Sequence, residues 1–191
     1  EHADGLVGHP MFTADYVRGP VAEDIAVGAR RADRDPGDIT IMGIRMCAID
    51  DDVELARRQV AFAIGQYAAS RVYDRLFELH GWSSEQKVIR QAARDRDTDA
   101  LIRAVSDDMI DAIAIACAPG EFPGRLADLP AGFDHLDLIA PPWGLTDEQT
   151  RNVNAEILSG LRQHLSSPAG FEVEGPPPAR REQLTAYEHF C

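Results

Sequence analysis

The run Ile39-Thr40-Ile41-Met42-Gly43-Ile44-Arg45-Met46-Cys47-Ala48-Ile49 is apolar at nearly every position. A strand with one face in water alternates apolar and polar residues. A strand buried on both faces does not, and such strands belong to parallel sheets with helices on each side. This one segment therefore sets the chain as α/β, and it predicts that residues 39 to 49 form the most buried strand. Arg45 is its odd member. A buried guanidinium has to be paired, and Asp4 and Asp137 on the flanking strands are the acidic candidates, for a structural ion pair rather than a catalytic role.

The surrounding sequence supplies a strand, helix, strand pattern. Residues 3 to 8 read as a short first strand. Thr13 can cap a helix from Tyr16 to Ala32, where Val17, Val21, Ile25 and Ala29 recur every four residues and Pro20 lies one turn in. Asp35-Pro36-Gly37-Asp38 is turn chemistry. Asp50-Asp51-Asp52 opens a long helix whose face is Ala56, Val60, Ile64 and Tyr67, extending through Leu76 and Leu79. His80-Gly81-Trp82 breaks it, and further helices run through Lys87 to Asp95 and Asp99 to Ile115. A plain crossover needs one helix, so residues about 53–116 read as a helical insertion. Phe133 to Ala140 is the third strand, and Thr146 with Gln149 forms a capping box for a helix carrying Val153, Ile157, Leu161 and Leu165. The alternation predicts three parallel strands, adjacent in sequence order. Gly175-Pro176-Pro177-Pro178 opens no helix or central strand, and residues 166–191 read as a flexible tail.

Ala3-Asp4-Gly5, Gly28 to Pro36, Arg57 leading to Tyr67 and Tyr73, and Ala116-Cys117-Ala118-Pro119-Gly120-Glu121-Phe122 together resemble the luciferase-like monooxygenases, a (β/α)8 TIM-barrel family of flavin- and F420-dependent enzymes. The resemblance covers about residues 1–165. It implies a partial barrel of about three late parallel strands plus the helical insertion. It also implies an oxidoreductase that moves a hydride between F420, or alternatively FMN, and a small organic substrate. The same resemblance places most of the ring-binding site in an earlier barrel half with no counterpart here, so the isolated chain is expected to be inactive or to associate with that half. Residues 118 to 121 depart from the family's usual Gly-Thr-Pro-Glu-Glu pattern, because Ala118 stands where a capping hydroxyl is expected. A full barrel takes about 250 residues, whereas this chain has 191.

Bulk properties narrow the partners. A formal charge of -13 disfavours nucleic acid, whose binding depends on counterion release by basic groups. Paired arginines such as Arg30-Arg31 and Arg57-Arg58 read as solvated faces with local ion pairs. No apolar run approaches the roughly 18 residues of a membrane span, and the three cysteines, Cys47, Cys117 and Cys191, have no Cys-x-x-Cys spacing. A reduced, cytoplasmic protein is the simplest expectation. Three strands with open edges predict a homo-oligomer or association with the missing half.

In a barrel the chemistry lies at the C-terminal ends of the strands, which singles out His9, Met11 and Thr13 after the first strand, Asp50 and Asp51 after the second, and Trp143 after the third. His9 can donate a proton or hydrogen bond, or be a plain loop residue. Thr13 can cap its helix or help hold an anion there. Trp143 can wall a ring pocket or plug the barrel mouth. Cys117 reads as a buried apolar residue, and the scattered histidines have no metal-ligand spacing. Glycine-rich nucleotide fingerprints, phosphate loops and nucleophile elbows are absent from the sequence. A non-catalytic module that binds another chain through its sheet edge is the competing reading.

Overall fold

The computed structural model describes residues 2–166; the expected tail lies outside the described residues, apart from Ser166. The sheet is parallel and mixed with many helices, as the apolar run predicts. β1 (Gly5–Val7) pairs with the start of β2 (Thr40–Ile49), with Leu6 opposite Ile41. β4 (His135–Ile139) pairs with the middle of β2, Leu136 opposite Gly43, and β3 (Ala114–Cys117) with its end, Ile115 opposite Cys47. Every strand pair in this sheet includes β2. The three expected strands are thus neighbours in the order β1, β2, β4. The Asp134 carboxylate starts the last pairing by accepting from the Ile41 amide at 2.7 Å, while the Asp134 amide donates to the Ile41 carbonyl.

The fourth strand is a correction, since a helix was expected to run on to Ile115, two residues into β3. Ser106 explains the difference. Its hydroxyl accepts from the Met109 amide, which ends α6 (Thr98–Arg103) and starts the separate α7 (Asp107–Ile113). The β-branched and small residues that follow then extend against the end of β2. β3 is buried at all four positions, whereas the first half of β2 is only partly covered, so β3 and not β2 is the most buried strand.

Alternation across β2 and β3 accounts for the apolar run. Met46, Ala48, Ala114 and Ala116 enter one core with α3 (Val53–Ala68), α5 (Ser83–Asp95), α6 and α7. Cys47, Ile49, Ile115 and Cys117 enter a second core with Phe122 of α8 (Phe122–Ala127) and with Val153 and Ile157 of α9 (Asp147–Ser166). Successive side chains point to opposite faces, and both faces carry helices. Arg45 is 3% exposed, but Asp4 pairs with Arg34 instead. The Arg45 guanidinium donates to the Ala112 carbonyl at 2.6 Å, so a backbone acceptor at the end of α7 replaces the expected acid.

Local chemistry sets the helix ends. Pro20 has no amide to donate, and the chain accommodates it in a wider π turn, Val17–Val21, between α1 (Ala14–Tyr16) and α2 (Ala22–Arg31). α3 stops at Ala68, short of the expected Leu79, because Ser70 caps the 3-10 turn Arg71–Tyr73 that precedes α4 (Asp74–Leu79). Gly81, at φ +73°, then turns the chain into α5. The Thr146–Gln149 box forms in both directions at 2.9 and 3.2 Å.

Gly160 is the close-approach point of the second core. A Cβ there would lie 2.3 Å from Phe122 Cδ1, and the ring is fully buried. Gly160→Ala is expected to destabilise the fold by about 1–3 kcal/mol through overpacking, read as a lower urea midpoint with unchanged slope. Unchanged stability would show that α9 docks elsewhere.

Candidate functional site

The long helix α3 packs on one face of β2 and β3. It starts after the C-terminal end of β2, and its last turn meets the loops that follow β1 and β4. Tyr67 packs edge-on against His9 at 4.5 Å and tilted against Trp143 at 4.6 Å. Tyr73, in the 3-10 turn beyond α3, lies 5.2 Å from the His9 ring and 6.1 Å from Tyr67. Three segments distant in sequence, at residues 9, 67–73 and 143, thus converge. Gly144 permits the approach: its φ is +84°, and a Cβ there would lie 2.7 Å from Phe62 Cδ1 of α3.

The hydrogen bonds at His9 assign its tautomer. The Met11 amide donates to His9 Nδ1 at 3.2 Å. A neutral imidazole that accepts at Nδ1 carries its proton on Nε2, and the Tyr73 hydroxyl oxygen is 3.0 Å from that nitrogen. The same oxygen is 3.2 Å from Nδ1, so the Tyr73 hydroxyl can accept from Nε2 or donate to Nδ1. Burial holds the His9 pKa below its usual value, which favours this neutral form. Burial, with Tyr67 alongside, pushes Tyr73 up to about 12, so it is a hydrogen-bond donor at neutral pH rather than a phenolate. A cavity of about 270 Å³ opens beside the pair, lined by His9, Phe12, Tyr16, Val72, Tyr73 and Leu76. That is just under the range of small-molecule sites, roughly 300–1,000 Å³.

Of the strand-end residues singled out in the sequence, His9 and Trp143 come together through Tyr67. Trp143 keeps 43% of its surface exposed. Met11 is fully buried in the first core beside Met46. Thr13 is a buried cap: its hydroxyl accepts from the Tyr16 amide at 3.1 Å and lies 2.8 Å from His80 Nε2. The His80 ring stacks on Trp82 at 4.2 Å, and burial lowers its pKa too. Tyr67, Tyr73 and His80 were not singled out for chemistry. The available signal was their position at the end of α3 and α4, but it becomes decisive only once the last turn of α3 is seen to meet the strand-end loops.

Ala118 caps nothing with its side chain, as its sequence position implied. Cys47 and Cys117 are buried, their thiols pushed up to about 12 and about 11, chiefly by burial, so neither is a nucleophile. Among the described residues, no group of histidines, cysteines and carboxylates could hold a metal, and no helix is long and apolar enough to cross a membrane.

The helix-flanked parallel sheet is a fold shared with a solved structure. That structure, the coenzyme F420-dependent tetrahydromethanopterin reductase from Methanopyrus kandleri, superposes with a TM-score of 0.59 at 24% identity, over 84% of this chain and 44% of that one. The sequence profile of the luciferase-like monooxygenases matches residues 1–133, and the chain belongs to that family. Uncharacterized proteins of Mycobacterium tuberculosis and Mycobacterium bovis are 29% identical over 80% of this chain and 45% of theirs. A 5,10-methylenetetrahydromethanopterin reductase of Methanolobus tindarius is 28% identical over 68% of this chain and 39% of its own length. The chain spans less than half the length of these relatives.

The two lowered histidines give the site a pH signature. A histidine whose folded pKa lies below its unfolded value of about 6.5 binds fewer protons folded than unfolded, so acid favours unfolding. Stability should hold above pH 7 and fall as the pH drops through about 6.5 toward the lower folded values. Chemical denaturation at pH 7.5, 6.5 and 5.5 checks this, and replacing both with glutamine (His9→Gln, His80→Gln) should flatten that part of the profile.

Proposed function

We propose that this chain forms part of an oxidoreductase in which a hydride passes between F420, or alternatively reduced FMN, and a small organic substrate. The observation that carries the reading is the convergence of His9, Tyr67, Tyr73 and Trp143 at the strand ends, where barrel enzymes of this architecture place their chemistry. The cluster suits a planar ring on one side: its aromatic faces are partly open, and its polar atoms are donors. A bound deazaflavin or reduced flavin would supply the hydride. The chain's own residues would do the rest. Trp143 and Tyr67 wall the ring. When the Tyr73 hydroxyl accepts from His9 Nε2, its own proton is available to a substrate oxygen. Family membership and the F420-dependent neighbour support this class, and F420 is preferred to FMN on that basis.

A second reading is a module that binds another chain through its sheet edge. Val7 on β1 is 65% exposed, and an apolar cleft of about 440 Å³ lies between β1 and α2. Sedimentation at micromolar concentration should then show a dimer or larger species. A monomer that melts cooperatively would remove this reading.

The test of the redox reading is binding. F420 or FMN titrated into the protein should shift the cofactor's visible spectrum. Trp143→Ala should weaken binding roughly two- to tenfold, the worth of one aromatic stacking contact of about 0.5–1.5 kcal/mol, with the melting temperature nearly unchanged. Equal binding together with a large loss of stability would make Trp143 a packing residue.

A further inference from the structure

Several of the chain's arginines are spent on local pairs with acids. Arg57 bridges Asp107 and Asp111, Arg58 meets Asp99, Arg75 meets Asp24 and Arg34 meets Asp4. The cleft beside α3 and α7 that holds Arg57 and Arg58 is accordingly lined by acids as well, among them Asp52, Glu54 and Asp107. One cleft departs from this pattern. It encloses about 640 Å³ between the Ala69–Arg71 segment and α5, and its lining residues are Ala69, Arg71, Lys87, Arg90, Ala93 and Arg94. Four of the six are cations and none is an acid, on a chain of formal charge -13 whose single lysine is Lys87.

Helical spacing builds the cationic wall. Residues 87, 90 and 94 lie three and four apart and share one face of α5, while Arg71 reaches in from the 3-10 turn opposite. Arg90 is anchored: it donates to the Ser70 carbonyl at 3.2 Å and to the Asp74 carboxylate. Its Nε is nevertheless buried with no partner, an orphaned donor at the cleft wall. Arg94 donates to the neutral Gln91 side chain, and among the described residues Arg71 and Lys87 have no acidic partner. Asp74 neutralises Arg90, which leaves Arg71, Lys87 and Arg94 as a local positive potential that favours an anion.

We propose that this cleft binds a phosphate or carboxylate group of a small molecule, with Arg71, Lys87 and Arg94 as the mobile contacts and Arg90 as the fixed donor. Arg71 lines this cleft and Tyr73 lines the cavity beside His9, so one short turn carries a residue of each. The assignment stands without the redox reading, because neither its residues nor its ligand class comes from that site.

The probe is inorganic phosphate, titrated into the intact chain at constant ionic strength with sodium chloride as the balancing salt and followed by amide shifts in two-dimensional NMR. Saturable shifts at residues 69–73 and 87–94 are expected, with affinity reduced about tenfold in the double variant Arg71→Gln, Lys87→Gln, the fold-change of one charge-assisted hydrogen bond of about 1.5 kcal/mol. Both side chains are exposed, so the variant should melt like the parent. Shifts that are linear in phosphate, that chloride reproduces, or that the double variant leaves intact would overturn the proposal. FMN and riboflavin, which differ by the phosphate, then identify the source. Displacement of inorganic phosphate by FMN alone places the anion on the cofactor. Retention of inorganic phosphate with either compound places it on a separate ligand.

Discussion

The fold depends on β2 being buried on both faces. Each of the other strands pairs with it at a different height: β1 at Thr40 to Met42, β4 at Met42 to Met46, and β3 at Met46 to Ile49. Because side chains alternate across the sheet, the same strand seeds both cores, Met46 and Ala48 in one, Cys47 and Ile49 in the other. A polar substitution on either face would place an unsatisfied group in a dry interior. Arg45 is tolerated because a carbonyl freed at the end of α7 accepts from it.

From that frame the position of the aromatic cluster follows. The cap at Asp52 starts α3 directly after β2, with the Asp52 carboxylate accepting from the Leu55 amide at 3.1 Å. α3 has 16 residues, which at about 1.5 Å per residue gives it a reach of roughly 24 Å. That carries Tyr67 from the end of β2 to the loops after β1 and β4. Gly144 gives the space for Trp143 to meet it. The cluster is therefore held by a helix, two strand-end loops and one short turn, with the fully buried Met11 and the Thr13 cap beneath His9. Rigid support of this kind is what presents a partly exposed tyrosine hydroxyl in one orientation.

The two cationic regions show how context overrides composition. Arg57 and Arg58 look in sequence much like Arg90 and Arg94, acids and bases mingled on a helix. In the fold the first pair meets Asp99, Asp107 and Asp111 from neighbouring helices, while of the second pair Arg90 meets Asp74 and Arg94 only the neutral Gln91. Periodicity places residues on a face, but only the docking of α5 against the Ala69–Arg71 segment decides what that face meets.

Sequence alone carried the parallel α/β class, the three main strands and their order, the Thr146–Gln149 cap, the break at His80-Gly81, the burial of Cys117 and the family. Each of these rests on local chemistry or a period, which neighbouring residues specify. It also placed His9 and Trp143 at strand ends. It could not show β3, because a four-residue apolar stretch after a helix has no period of its own and becomes a strand only by pairing with β2. Nor could it show that Arg45 would find a carbonyl, that Met11 would be wholly enclosed, or that Tyr67 and Tyr73 would join His9. Those outcomes depend on contacts between segments tens of residues apart, and tertiary packing alone decided them.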